Sequence, residues 1–361
     1  MRIPLRRALQ LLLVAAIGCG EAVTTPDPSD GGSGTGKEHP PHVDPDTGAV
    51  VSPLQAGLWM ASAAPSTIIR LAAGQLEGSG DRAPATAITT ASGELTTLVP
   101  MAFDADGSLW VAGTDASRLL RFAPGALGQS GAHAAATVIL PRAGSIDQPT
   151  ALAFDSQHRL WVANSARGTL VRFDRAQLAL GGAVAPAVEL AIGGRPTSLA
   201  FDAAGALWVS DHGAATISRF AAAQLEASAA VVPVVVLRSP GGLLANPCGL
   251  AFDAAGNLWV ANTGNAGVSA FTAPQLLQSA TLAPARTITS TGGTMGVPTG
   301  LAFDGAGSLW VLGAQSVLTR FPPASLAGDG EQPASARLTL PGLGSFWGQA
   351  FWPRPAGLPL N

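Results

Sequence analysis

The stretch Ala251-Phe252-Asp253-Ala254-Ala255-Gly256-Asn257-Leu258-Trp259-Val260-Ala261-Asn262 decides the fold, because near-copies of it recur along most of the chain. They read AFDADGSLWVAG from Ala102, AFDSQHRLWVAN from Ala153, AFDAAGALWVSD from Ala200 and AFDGAGSLWVLG from Ala302, with a worn copy, LQAGLWMAS, from Leu54. Trp59, Trp110, Trp161, Trp208, Trp259 and Trp310 are therefore separated by 51, 51, 47, 51 and 51 residues. The rhythm speaks of architecture and names no substrate.

Around that stretch, 249–252 is a short apolar run, and 253–256 is a turn in which Asp bonds its own backbone while Gly takes positive φ. A second strand over 258–261 completes a hairpin. A loop follows at 262–265, then a third strand over 266–271, one helical turn over 272–276 and a fourth strand over 284–289. The later elements recur as faithfully: Arg70-Leu71, Arg121-Phe122, Arg172-Phe173, Arg219-Phe220, Ala270-Phe271 and Arg320-Phe321 close the third strands, each followed five residues on by a leucine. Four strands in a repeat of about fifty residues describe a propeller blade. The inner strands are apolar on both faces because a blade stacks on each side, and the 3.6-residue period of a helical solenoid is absent.

The two ends of the repeat array are incomplete in complementary ways. The first copy has no AFD strand before it, and Gly348-Gln349-Ala350-Phe351-Trp352 has no blade after it. The expected fold is all-β, a six-bladed β-propeller over 53–361, closed by the C-terminal strand completing the first blade. Closure removes the free sheet edges that promote aggregation.

The common form Pro-x-Gly-Leu-Ala-Phe-Asp-x-x-Gly-x-Leu-Trp-Val-Ala-Asn resembles NHL-type repeats and the related six-bladed propellers of the SMP-30/gluconolactonase and streptogramin-lyase groups. The resemblance covers about residues 53 to 361. It implies the fold, while the families it joins include hydrolases, lyases and binding proteins.

Before the repeats, residues 1–18 carry Arg2, Arg6 and Arg7, then an apolar run from Ala8 to Ile17 interrupted by Gln10. This is the layout of a signal peptide, and Ala16-Ile17-Gly18-Cys19 resembles a bacterial lipobox, with Cys19 as the lipidation site; an ordinary secretory peptide cut nearby is the alternative. Residues 19–52 turn to Pro, Gly, Asp, Ser and Thr and read as a disordered tether. Export with a lipid anchor, to the outer membrane or cell surface, is the expected location. The second cysteine, Cys248, then has no partner within the chain and reads as a small buried thiol.

With 12% charged residues, a net charge of -3 and Lys37 as the single lysine, the chain lacks the clustered cations of nucleic-acid binding. The motifs GxSxG, HExxH, CxxC and a Walker loop are also absent. In propellers the second-to-third loops and the connections into each next blade share one face, which commonly binds ligands. There, Asn164, Asp211 and Asn262 end three consecutive second strands, where other copies have Ser62, Gly113 and Gly313, and His212 and Asn265 are their neighbours. Their oxygens suit Ca²⁺ or Mg²⁺ or a polar ligand, or simply turns closed on their own backbone. Thr150, Thr197, Cys248 and Thr299 stand where the innermost strands begin. A gluconolactonase-type site implies a carboxylate near that position and a streptogramin-lyase-type site implies His with Glu; here the nearest acid is Glu94, and His212 has no glutamate in the equivalent loops. The expectation is a monomeric binding or scaffolding module for an envelope protein, glycan or small molecule, with a metal-dependent lyase or lactonase as the alternative.

Overall fold

The computed structural model describes residues 42–43, 50–51, 56–63, 65–91, 98–115, 117–344, 346–352, 354 and 358. The stretch read as a signal peptide, Cys19 and Glu94 lie outside the described residues, as does most of the stretch read as a tether, within which His42–Val43 pairs antiparallel with Val50–Val51.

Six sheets follow one another round a ring, the expected six-bladed propeller. In the fifth blade Pro247–Phe252, Leu258–Asn262, Gly267–Phe271 and Arg286–Ser290 lie side by side in antiparallel order, with a short 3₁₀ turn at Ala273–Leu277. Innermost strands such as Pro149–Phe154 and Pro196–Phe201 are buried along their whole length, because blades cover both of their faces. The six repeat tryptophans are at most 2% exposed. Five sit edge-on to an aromatic ring of the next blade: Trp59 to Phe103, Trp161 to Phe201, Trp208 to Phe252, Trp259 to Phe303 and Trp310 to Phe351, with centroids 5.9–6.4 Å apart.

The aspartate of each AFD turn does more than close its turn. Asp202 Oδ1 accepts the backbone N–H groups of Ala204 and Ala206, as the turn reading expects. Its Oδ2 accepts the indole N–H of Trp208 at 3.0 Å and Arg219 Nε at 3.0 Å. Asp104, Asp155, Asp253 and Asp304 hold their tryptophans in the same way. In the fifth blade Ala270 replaces the arginine, and Asn257 Nδ2 donates to Asp253 Oδ2 instead, at 2.8 Å. In the third blade Arg159 supplies that contact, at 2.6 Å, which frees Arg172 to pair with Asp174 and Glu226.

The ring closes twice. Phe346–Trp352 pairs antiparallel with Gly57–Ala63, placing Phe351 opposite Leu58, so the last strand becomes the innermost strand of the first blade as expected. Each blade also carries a fifth, outermost strand that the four-strand reading did not contain, lent by the blade that follows. Gly131–His133 lies parallel to Thr86–Thr90, Gly330–Gln332 lies parallel to Arg286–Ser290, and Gly80–Asp81 of the first blade lies parallel to Ala336–Thr339 of the sixth. A preceding serine locks several of these straps: Ser79, Ser130, Ser228 and Ser279 each accept a backbone N–H of the neighbouring blade's fourth strand at 3.0 Å.

Candidate functional site

Antiparallel pairing puts the end of each second strand beside the start of the innermost strand, so the second-to-third loops and the connections between blades share one face. Asn164 is fully buried there. Its Nδ2 donates to the Ser145 carbonyl at 2.9 Å and to Thr169 Oγ1 at 3.2 Å, and its Oδ1 accepts the Asp147 N–H at 3.2 Å. Asn262, equally buried, repeats the arrangement two blades further round: Nδ2 donates to Ser269 Oγ at 2.9 Å and Oδ1 accepts the Ala245 N–H at 3.3 Å. Asp211 Oδ1 accepts the N–H groups of Gly213 and Ala214 at 2.9 Å, and its Oδ2 accepts that of Arg195 at 3.0 Å. All three side chains therefore tie the loop after the second strand to the connection arriving from the previous blade. At Gly313 the same position has no room for a side chain, since a Cβ there would overlap the Met295 carbonyl oxygen.

The hydroxyls at the start of the innermost strands join blade to blade. Thr150 Oγ1 donates to the Pro196 carbonyl at 2.8 Å, Thr197 Oγ1 to that of Pro247 at 3.1 Å and Thr299 Oγ1 to that of Phe346 at 3.4 Å. Cys248 breaks the series. Its Sγ lies 3.8 Å from Thr263 Oγ1, and burial raises the thiol pKa far above its ordinary value, so it stays a protonated packing group.

His212 meets Asn246, whose Nδ2 lies 3.0 Å from the ring's Nε2. Burial lowers the pKa of His212 and the Arg195 charge lowers it further, against the opposing pull of Asp211. The structure thus gathers Asp211, His212, Arg195 and Asn246 at the junction of blades four and five; Arg195 and Asn246 were not legible as partners because each lies in a connection of different length. Asn164, Asp211 and Asn262 remain separate, each occupied in its own loop. Ca²⁺ takes six to eight oxygens and Mg²⁺ an octahedron, whereas the oxygens of these three already accept backbone N–H groups, and no three His, Cys, Asp or Glu side chains converge among the described residues. The residues do not form a fitting cation site.

Asn265 lies elsewhere on this face, in a groove of about 470 Å³ between blades five and six, lined also by Ser290, Val297, Gln315 and Glu331. Asn265 donates to the Gly242 carbonyl at 3.0 Å and accepts the Gly267 N–H at 3.1 Å, and Glu331 accepts the Gly292 N–H at 2.6 Å. Sequence reasoning missed Glu331 because it arrives on the strap lent by the sixth blade.

No family model matches the chain, and no curated protein matches it. Among solved structures, a chain of a nidogen/laminin complex aligns with a TM-score of 0.55 at 13% identity, over 81% of this chain and 97% of that one. A streptogramin B lyase aligns at 0.46 with 13% identity, over 68% and 69% of the two chains. The extracellular domain of a putative hybrid two-component system from B. thetaiotaomicron aligns at 0.46 with 17% identity, over 68% of this chain and 30% of that one. At these identities the likeness concerns the fold alone.

Proposed function

We propose that this chain is an exported binding module of the bacterial cell envelope, lipid-anchored through Cys19, which presents the loop face of its propeller to a partner and does not catalyse a reaction. The observation that carries this reading is the use of the polar residues that differ from blade to blade: Asn164, Asp211 and Asn262 spend their hydrogen bonds on closing the loops. A face fixed by its own hydrogen bonds loses little conformational freedom on binding, which favours recognition. The groove beside Asn265 and Gln315 offers amides, hydroxyls and one carboxylate, chemistry suited to a polar, largely uncharged partner surface. The basic and apolar residues ahead of Cys19 support export and anchoring.

A photo-crosslinking amino acid at Gln315, introduced in intact cells, should yield a discrete adduct that the same group at Leu180, exposed on the opposite side, does not give. Identical adducts from both positions, or none from Gln315, would overturn the contact face. Labelling with an alkyne fatty acid should mark the wild type and spare Cys19→Ala, which should also leave the membrane fraction; label retained by the variant would overturn the anchor.

A further inference from the structure

The junction between blades two and three is built differently from the others. Five junctions have a tryptophan edge-on to a ring of the next blade, but Trp110 and Phe154 form no such pair among the described residues. Arg70, Arg172, Arg219 and Arg320 lie over the tryptophans of their blades, at 5.5–6.0 Å from the ring centroids, whereas Arg121 makes no such contact with Trp110 among the described residues. Trp110 and Phe154 instead both line a cavity of about 160 Å³, on the face of the AFD turns, opposite the loop face. Its remaining walls include Asp106, Arg121, His158 and Arg175.

Three of those polar residues depart from the repeat. Asp106 stands where other blades have Ala204, Ala255 and Ala306; His158 replaces the turn glycine; Arg175 stands where others have Ala73, Ala222 and Ala273. They come from three different segments, and the fold brings them to one cavity. Stability does not account for them. Asp106 and Arg175 meet at 3.4 Å with side chains 58% and 67% exposed, a geometry that contributes little. His158 holds a left-handed backbone, φ 58°, which favours the glycine it replaces.

We infer that this cavity binds a zwitterionic α-amino acid with an apolar side chain. Its volume matches the scale of a cavity, about 150 Å³, that holds benzene, and Trp110, Phe154 and Leu178 supply an apolar floor for a ring or a branched chain. Asp106 receives the ammonium group and Arg175 the carboxylate, each exchanging a long, solvent-screened contact for a charge-assisted hydrogen bond inside the cavity. Arg121 engages Asp104 through Nε at 3.3 Å, which leaves its Nη groups without a hydrogen bond among the described residues, and both it and His158 line the same cavity. A ligand with one charge would satisfy one side and strand the other, so recognition requires both.

Isothermal titration of the full chain with L-phenylalanine tests this. Saturable binding is expected, weakened at least about tenfold by Asp106→Ala or Arg175→Ala, and weakened similarly for N-acetyl-L-phenylalanine and L-phenylalaninamide, which each lack one charge. Alanine already occupies both positions in other blades, so these variants are expected to fold, and an unchanged thermal midpoint verifies it. No saturation by the wild type in millimolar excess, equal binding by both variants, or equal binding of the capped analogues would overturn the assignment. The site stands apart from the proposed loop-face contact: Gln315→Ala should leave the titration unchanged, and loss of binding in that variant would also refute the location.

Discussion

Replacing one repeat tryptophan by alanine should cost more in the fourth blade than in the second. Trp208 and Trp110 are both 1% exposed, and each donates its indole N–H to an aspartate at 3.0 Å, so the loss of apolar burial and of that hydrogen bond is common to both. Such a truncation costs about 3–5 kcal/mol. Trp208 additionally meets Phe252 edge-on at 6.1 Å, worth about 0.5–1.5 kcal/mol, and lies 5.8 Å beneath Arg219, worth about 0.5–1 kcal/mol. Trp110 has neither contact among the described residues. Trp110→Ala should therefore be the milder change by about 1–2.5 kcal/mol. In urea, with a slope of about 2–3 kcal/mol/M, the two midpoints should differ by about 0.3–1.3 M. Equal midpoints at equal slopes, or a larger loss for Trp110→Ala, would refute the account of the junctions and would also remove the structural basis for a loosened cavity at Trp110.

Deleting residues 346–361 should uncover the edge of Gly57–Ala63 and the ring of Trp310, giving aggregation on size-exclusion chromatography; a soluble, monomeric, protease-resistant truncation would contradict the closure. Asn164→Ala leaves the Asp147 N–H and the Ser145 carbonyl without their partner and should cost about 1–3 kcal/mol by chemical denaturation. The hydrogen bond from Arg159, helped by Arg172, lowers the folded pKa of Glu226 below its unfolded value, so its stabilisation is complete above the ordinary glutamate range and is lost as pH falls through the lowered value. Because that side chain is 51% exposed, the gain is about 0–1 kcal/mol, and Glu226→Gln should flatten the acid limb of the thermal midpoint against pH by no more than this; a steeper limb in the variant would reverse the sign. Cys248, fully buried with its thiol pKa raised by burial, should resist alkylation at neutral pH until the ring unfolds; rapid labelling of native protein would show that the junction opens.

Much of the propeller was legible because its causes are local and repeat. The AFD turn needs an Asp and a residue that tolerates positive φ within a few positions, and even His158, which replaces glycine, is held at φ 58°. Closure by Phe346–Trp352 was legible because the missing first strand and the surplus last one complement each other. The fifth strands were not, since two or three mostly exposed residues such as Gly80–Asp81 carry no apolar alternation. Their one signal was the serine before them, at Ser79, Ser130, Ser228 and Ser279. The link from Asp through Trp to Arg also escaped reading, although Asn257 appears in the one blade where Ala270 has replaced the arginine.

Site chemistry was less legible, because the sequence orders residues along one blade while a site is formed between blades. Asn164, Asp211 and Asn262 share a repeat position and looked like one cluster; an equal position in successive blades instead carries each to its own loop, where backbone N–H groups occupy it. Asp106, His158 and Arg175 share no repeat position, yet packing of blade three on blade two brings them together. The sequence by itself determined the blade, the number of blades and the way the ring closes, since these follow from periodic burial and turn chemistry. Only the tertiary structure decided which polar groups are spent on holding loops and which face open space, because that depends on the junctions, where side chains distant in the chain compete for the same hydrogen bonds and the same volume.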